Sequence, residues 1–158
     1  MGLQINFRLN GEQRQQEVEP NLTLLDFLRD RLQVTSPKKS CNQGECGACT
    51  VLLDGKAVNA CLVLAANIDG KSVETVEGLS KDGLHPLQKH FYEMAASQCG
   101  YCTPGMILAA KALLDSNPDP SVEEVKEGLS GNICRCTGYV KPVQAVLSAA
   151  RELRGQSA

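Results

Sequence analysis

The chain has 158 residues, of which 42% are hydrophobic, and a formal net charge of −2 with acidic and basic residues mixed throughout. This length suits one ordinary domain or two small ones, and the composition excludes a disordered or fibrous protein. The sequence has no basic patch of the kind that nucleic-acid binding requires and no apolar run long enough to cross a bilayer, so neither nucleic-acid binding nor membrane insertion is expected.

The first half of the sequence predicts a small mixed sheet with one helix. The predicted strands are residues 3–9, 13–18, 50–53, 56–59 and 72–76. Asn10-Gly11 and Asp54-Gly55 are two-residue turn signals that join the first and second pairs of strands into hairpins. Thr23 is a predicted N-cap for a short helix, because a run of leucines at helical spacing follows it.

The second half of the sequence predicts four helices. Pro86, Pro104 and Pro142 each mark the start of one helix, since proline is tolerated at the first helical position. Ser121 with Glu124 three residues later forms a capping-box signal that opens the remaining helix.

The composition changes between residues 77 and 84, where we place the domain boundary. The prediction is therefore an α+β chain with a mixed-sheet domain at residues 1–77 and a small four-helix bundle at residues 84–158.

Eight cysteines are many for a chain of this length. No signal peptide is recognisable, so we expect a cytoplasmic protein, in which disulfides are rare. In a reducing compartment, clustered cysteines more often bind metal. The cysteines fall into two groups of four, one in each half of the chain.

The first cysteine group has the spacing of a plant-type [2Fe–2S] ferredoxin. Its members are Cys41, Cys46, Cys49 and Cys61. Gly44 and Gly47 lie within this loop, where they allow the backbone to adopt positive φ and to point N–H groups at sulfur. A structural zinc site is the alternative, but zinc sites usually separate both ligand pairs by two to four residues.

The second cysteine group consists of two close pairs. Its members are Cys99, Cys102, Cys134 and Cys136. One pair comes directly before the helix at Pro104 and the other just before Pro142. We expect both pairs at helix N-termini, where unpaired N–H groups and the helix dipole favour an anionic cluster. Spacing alone leaves zinc and iron–sulfur equally open for this group.

Three longer motifs together indicate a family. They are residues 41–51 (CNQGECGACTV), 98–106 (QCGYCTPGM) and 131–139 (GNICRCTGY). In this order, and over essentially the whole chain, the sequence resembles the small iron–sulfur subunit of the xanthine dehydrogenase / aldehyde oxidoreductase family of molybdenum hydroxylases. The resemblance assigns the second cysteine group to a [2Fe–2S] cluster as well. The sequence departs from the family at Ser40, where a glycine usually precedes the first cysteine.

The resemblance implies a plant-ferredoxin-like β-grasp domain followed by a four-helix bundle domain. It also implies electron transfer from a molybdopterin centre, through the helical-domain cluster and then the ferredoxin-type cluster, to FAD or another acceptor. The implied partners are a large subunit with molybdopterin in dinucleotide form and a medium FAD-binding subunit, in a dimer of heterotrimers. An independent ferredoxin-like electron carrier is the alternative.

The motif match also assigns roles to individual residues. Cys136 would be the ligand nearest the pterin, and Gln98 would hydrogen-bond it. No catalytic residue is expected in this chain, since the substrate site belongs to the large subunit in this family. We expect the ferredoxin-type cluster to be the more exposed, and the helical one to be buried by the bundle and by a partner docked on an apolar face. His85 and His90 match no motif and are interpreted as ordinary surface or helix residues.

Overall fold

A computed structural model describes residues 2–80 and 83–155. Its sheet has five strands, β1 (Leu3–Leu9), β2 (Glu12–Val18), β3 (Thr50–Leu53), β4 (Lys56–Asn59) and β5 (Ser72–Glu74). The strand order is β2-β1-β5-β3-β4, with β1 and β5 parallel and the other neighbours antiparallel. Both predicted hairpins are confirmed, because Asn10, Gly11, Asp54 and Gly55 all have the positive φ that a type I′ turn requires.

The predicted first helix is confirmed, with a change of pitch. Thr23 is its N-cap and accepts a hydrogen bond from the backbone N–H of Asp26 at 3.1 Å. The helix α1 (Leu24–Asp26) continues directly as a π-helical turn, Phe27–Arg31. This segment packs beneath the sheet and closes a first core. The largest fully buried side chains there are Ile5, Phe7, Leu24, Leu25, Phe27 and Leu28.

Four helices follow, α2 (Pro86–Glu93), α3 (Thr103–Ser116), α4 (Val122–Leu129) and α5 (Val140–Leu153). The capping box of α4 is confirmed, since Ser121 and Glu124 each bond the backbone of the other. The predicted start of α5 at Pro142 is wrong, because the helix begins at Val140. Proline is tolerated there since the first four N–H groups of a helix have no partner within it.

The helices enclose a second core, separate from the first. Its apolar members include Leu87, Phe91, Met106, Ile107, Val125, Leu129 and Val146. Helix α2 packs against α5, and α3 packs against both α4 and strand β3, so the second core lies directly against the sheet. No helix within residues 2–80 and 83–155 is long and apolar enough to cross a membrane.

Candidate metal centres

The first cysteine group forms where a loop and the sheet meet. Cys49 ends the loop directly before β3, and Cys61 lies in the short 3₁₀ helix Ala60–Leu62 directly after β4. The Cys41 thiol interacts electrostatically with that of Cys46, and the Cys49 thiol with that of Cys61. Cys49 and Cys61 are buried, and burial together with the neighbouring Cys61 thiol raises the pKa of Cys49 to about 11.

Backbone N–H groups surround the outer thiol of this group. The N–H of Gln43 donates to Cys41 Sγ at 3.4 Å. Together with the backbone N–H groups of Cys46 and Glu45, this bond lowers the pKa of Cys41 to about 6. The same donors that stabilise a thiolate would stabilise the negative charge of a thiolate-bound cluster.

Gly44 and Gly47 have φ of +80° and +67°, as the sequence predicted for this loop. A Cβ on Gly44 would lie 2.3 Å from a methyl carbon of Leu62, and a Cβ on Gly47 would lie 2.3 Å from the carbonyl oxygen of Gly131. The first glycine therefore lets the loop close against its own domain. The second allows the loop to touch the helical part of the chain.

In the second cysteine group the Cys102 thiol interacts electrostatically with that of Cys134, and the Cys136 thiol with that of Cys99. Cys99 and Cys136 are exposed, whereas Cys102 is buried, and burial raises the pKa of Cys102 to about 12. Cys102 is the N-cap of α3, as expected. The expectation fails for the other pair, because the N-cap of α5 is Tyr139, which comes after both cysteines.

Two residues that the sequence reasoning missed surround Cys134. The hydroxyl of Thr137 donates to Cys134 Sγ at 3.1 Å, and the hydroxyl oxygen of Tyr139 accepts the N–H of Cys134 at 2.6 Å. Burial alone would raise the pKa of Cys134, but the bonds from Thr137 and from the N–H of Cys136 lower it to about 7. The available signal was their position inside the third motif, directly after the cysteine pair.

The two cysteine loops are the loop at residues 41–49 and the loop at residues 131–137, which carries Cys134 and Cys136. They are hydrogen-bonded to each other. Ile133 donates its backbone N–H to the carbonyl oxygen of Cys46 at 2.9 Å. The side-chain amide of Asn132 donates to the carbonyl oxygen of Gly47 at 2.9 Å, and Asn132 is only 4% exposed. Ile133 directly precedes Cys134 in the chain. The backbone of Cys134 is therefore connected to that of Cys46 through Ile133 and one hydrogen bond.

A second contact joins the segment before Cys41 to the segment between Cys99 and Cys102. Tyr101, which stands inside the second motif, donates its hydroxyl to the carbonyl oxygen of Lys39 at 2.5 Å. A Cβ on Gly105 would lie 2.3 Å from the carbonyl oxygen of Gly47. The glycine at the start of α3 therefore allows the helix to approach the first loop. These contacts give the cysteine groups a fixed relative position.

Gln98, His85 and His90 lie apart from these contacts. Gln98 is exposed next to the second group, and its predicted contact with a pterin stays a prediction. His85 is the N-cap of α2 and accepts the N–H of Leu87 at 3.2 Å. His90 is a helix residue but a buried one, with its ring 2.8 Å from Glu152.

The arrangement of the thiols suits two-iron clusters. A [2Fe–2S] cluster takes four cysteines, two on each iron, and in both groups the four thiols lie close enough to interact with one another. Within the described part of the chain, no three His, Cys, Asp or Glu side chains are arranged to hold a single metal ion. Ser40 is not among the residues with positive φ, so its backbone does not need the freedom of the glycine that it replaces.

Comparison with known families and proteins agrees with this arrangement. The model for a 2Fe-2S iron-sulfur cluster binding domain matches residues 7–80, and that for a [2Fe-2S] binding domain matches residues 75–147. The nicotinate dehydrogenase small FeS subunit of Eubacterium barkeri is 54% identical, over 90% of this chain and 91% of the relative. The nicotine 6-hydroxylase small subunit of Paenarthrobacter nicotinovorans is 50% identical, over 93% and 89% respectively.

Solved structures are similar over nearly the whole chain. Quinoline 2-oxidoreductase from Pseudomonas putida 86 has a chain with a TM-score of 0.93 and 43% identity, which covers 99% of each chain. The aldehyde oxidoreductase from Desulfovibrio desulfuricans also gives a TM-score of 0.93, with 49% identity over 97% of this chain but only 17% of that chain. The same fold therefore exists both as a separate chain and as part of a longer one.

Proposed function

This chain belongs to the small [2Fe–2S] subunits of the xanthine dehydrogenase / aldehyde oxidoreductase family of molybdenum hydroxylases, where it is the electron-transfer subunit of an oxidoreductase complex, and we propose that its cysteines hold two clusters in series. The ligands of the first cluster are Cys41, Cys46, Cys49 and Cys61. The ligands of the second cluster are Cys99, Cys102, Cys134 and Cys136. Each set supplies two thiols to each of two irons.

Each cluster belongs to its own domain. We place the plant-ferredoxin-like β-grasp domain at residues 1–77 and the four-helix bundle domain at residues 84–158; residues 1 and 156–158 lie outside the residues that the structure describes. Two observations support this division: the two apolar cores are separate, and two different 2Fe–2S family models match the two halves. The hydrogen bonds between the cysteine loops then join the two domains at their clusters.

The observation that carries the proposed relay is the bond from the Ile133 N–H to the Cys46 carbonyl oxygen, 2.9 Å long. It connects Cys134, a ligand of the second cluster, to Cys46, a ligand of the first, through covalent bonds and one hydrogen bond. Substrate oxidation at the molybdopterin of a partner subunit supplies two electrons, and a [2Fe–2S] cluster carries one at a time. This chain therefore passes them singly, from the second cluster to the first.

The surface around the second cluster fits a docking face for the large molybdopterin-binding subunit. Cys99 and Cys136 are exposed in this chain, so the predicted burial of that cluster requires a partner. An apolar groove of about 390 Å³ lies beside it between α4 and α5, with exposed Val122 and Val140 on its walls and Tyr139 at its end. Apolar patches of this kind mark protein–protein contacts.

The direction of the relay follows from this placement. Cys136 and Gln98 face the pterin, and electrons enter there. They leave from the first cluster to FAD in a medium subunit, within a dimer of heterotrimers. Proteins named for nicotinate, nicotine and quinoline each contain a chain similar to this one. This similarity suits a subunit that carries electrons and leaves substrate selection to its partner. An independent ferredoxin-like carrier is not favoured.

Iron analysis of the purified complex tests the ligand assignment. The wild-type chain should contain about four irons, and dithionite should generate about two unpaired electrons per chain. Cys49→Ala and Cys134→Ala should each lose about half of the iron and one of the two signals. Ser40→Gly is the matched control and should retain both clusters. A wild-type chain with colourless bound zinc, or a Cys134→Ala variant with both signals, would refute the assignment.

A further inference from the structure

A side-chain hydroxyl points at one cluster sulfur in the loop that leads to α5. Thr137 Oγ1 lies 3.1 Å from Cys134 Sγ, and the backbone N–H of Tyr139 donates to the same oxygen at 3.3 Å. This N–H uses one lone pair of the oxygen and leaves the hydroxyl hydrogen free to donate to the sulfur. A thiolate bound to iron is an acceptor only, so the direction of the bond is fixed.

The backbone of this loop is held in an uncommon conformation. Gly138 and Tyr139 have φ of 63° and 66°, two consecutive left-handed residues. A left-handed tyrosine is strained and persists only where its surroundings determine it. Here the phenol oxygen accepts the N–H of Cys134 at 2.6 Å, so the tyrosine closes the loop back onto the cysteine. The closed loop holds Thr137 against the sulfur.

Cys134 differs in this respect from the other seven cysteines. Among the described residues, Thr137 is the only hydroxyl side chain that donates to a cysteine sulfur, whereas the donor to Cys41 is a backbone N–H. Hydrogen bonds to the sulfurs are one of the means by which a protein sets the potential of an iron–sulfur cluster. They favour the reduced form, because reduction adds one negative charge to the cluster.

We propose that Thr137 is the residue that raises the reduction potential of the second cluster, through its hydrogen bond to Cys134. The inference rests on the proposed function, since it requires the second cysteine group to hold a [2Fe–2S] cluster. The sulfur concerned follows Ile133, whose N–H contacts Cys46, so the hydroxyl stabilises the transferred electron on the side that faces the first cluster. Thr137 is a positioning residue and takes no part in bond breaking.

An EPR-monitored redox titration of the whole complex tests this proposal. Thr137→Val should lower the midpoint potential of the second cluster alone. The comparison is made at the wild-type midpoint potential, where half of the wild-type second clusters are reduced. There the ratio of reduced to oxidised second clusters in Thr137→Val should be roughly threefold to tenfold lower than in the wild type. A tenfold change corresponds to 59 mV for a one-electron couple. Thr137→Ser keeps the hydroxyl and should retain the wild-type midpoint.

Thr103→Val is the matched control. Thr103 directly follows Cys102, but its hydroxyl donates to Ser97 Oγ at 2.9 Å and not to a sulfur, so its loss should leave both midpoints unchanged. If Thr137→Val does not retain about four irons, Thr137→Ala removes the same hydroxyl without a branched apolar group and decides the question.

The midpoint potential of the second cluster should differ between Thr103→Val and the two variants Thr137→Val and Thr137→Ala. Equal midpoint potentials would overturn the role of Thr137 and leave the cluster assignment intact. A wild-type complex with about two irons and one signal would instead overturn the assignment itself, and the inference with it. The two failures are therefore distinguishable by the iron content of the wild type.

Discussion

The backbone N–H of Ile133 lies 2.9 Å from the carbonyl oxygen of Cys46, and this bond joins the two cysteine loops of the chain. Each partner stands at a cysteine: Cys46 is itself in the first group, and Ile133 immediately precedes Cys134 of the second. The side chain of Asn132 anchors the same junction from the neighbouring position. The position of one cluster relative to the other thus depends on a small set of local contacts, which the following variants test.

Replacing Asn132 with alanine should weaken the junction. Asn132 is buried and its amide donates to Gly47 O and to Thr50 Oγ1, while Gly47 O also accepts the N–H and the hydroxyl of Thr50. The variant therefore removes two buried hydrogen bonds, and we expect the unfolding free energy to fall by about 1–3 kcal/mol and electron transfer between the clusters to slow. Thermal unfolding and freeze-quench EPR measure the two effects.

Asn59→Ala is the control for this variant. The Asn59 amide also donates to a loop carbonyl, that of Gly44 at 2.8 Å, but it does so from within the first domain. Its loss should reduce stability without slowing transfer between the clusters. Equal transfer rates in Asn132→Ala and Asn59→Ala would contradict the role given to the junction.

Gly105→Ala should force the two loops apart. The new Cβ would lie 2.3 Å from the carbonyl oxygen of Gly47, which is backbone and has little room to move. Overpacking of this kind costs about 1–3 kcal/mol, so the melting temperature should fall and cluster content should decrease. Gly131→Ala is the control, because a Cβ there meets nothing within 4 Å. If both variants have the melting temperature of the wild type, the close approach of Gly105 to the Gly47 carbonyl is not required.

The Glu77 carboxylate should make stability depend on pH. Desolvation raises the pKa of Glu77, but hydrogen bonds from Ser36 and Thr75 outweigh it and hold the pKa below the ordinary 4.5. A lowered folded-state pKa stabilises the protein above the unfolded value, and this contribution is lost as the pH falls through the folded value. The bond from Ser36 Oγ, 2.5 Å long, ties the segment before Cys41 to the end of the sheet domain.

Glu77→Gln should therefore lower the melting temperature at pH 7 and lose less stability than the wild type on acidification. The difference between the two melting temperatures should shrink progressively below about pH 5, as the Glu77 carboxylate of the wild type becomes protonated. Glu74→Gln removes the same charge from β5 and serves as the control. A difference from the wild type that stays constant between pH 7 and pH 4 would refute the linkage.

Much of this arrangement could be predicted from the sequence, because it depends on local rules. Turn signals such as Asn10-Gly11 specify positive φ, and the Ser121–Glu124 pair specifies a helix start, so hairpins and helices were found close to their true bounds. The cysteine spacing of the first group likewise reflects one loop. The start of α5 was misplaced by two residues, since Pro142 is tolerated at the third helical position as well as at the first, and the predicted bounds of β2, β5 and α3 differ from the observed ones by one or two residues.

The contacts between the domains could not be predicted, because they pair residues far apart in the sequence. Nothing in the order of residues indicates that Asn132 reaches Gly47, or that Gly105 lies against the same carbonyl. The proximity of the thiols within each group, and the hydroxyl of Thr137 at Cys134, likewise depend on how the loops fold back on themselves. The three-dimensional structure was needed to show that the loops of the two cysteine groups contact each other.

Reduction of variant complexes by their own substrate tests the relay and its direction most directly. In Cys49→Ala, which lacks the first cluster, substrate should still reduce the second cluster within the time of a turnover, and the electrons should stop there. In Cys134→Ala, which lacks the second cluster, the first should stay oxidised while dithionite still reduces it. Freeze-quench EPR records both. Rapid reduction of the first cluster by substrate in Cys134→Ala would contradict a series relay that enters at the second cluster.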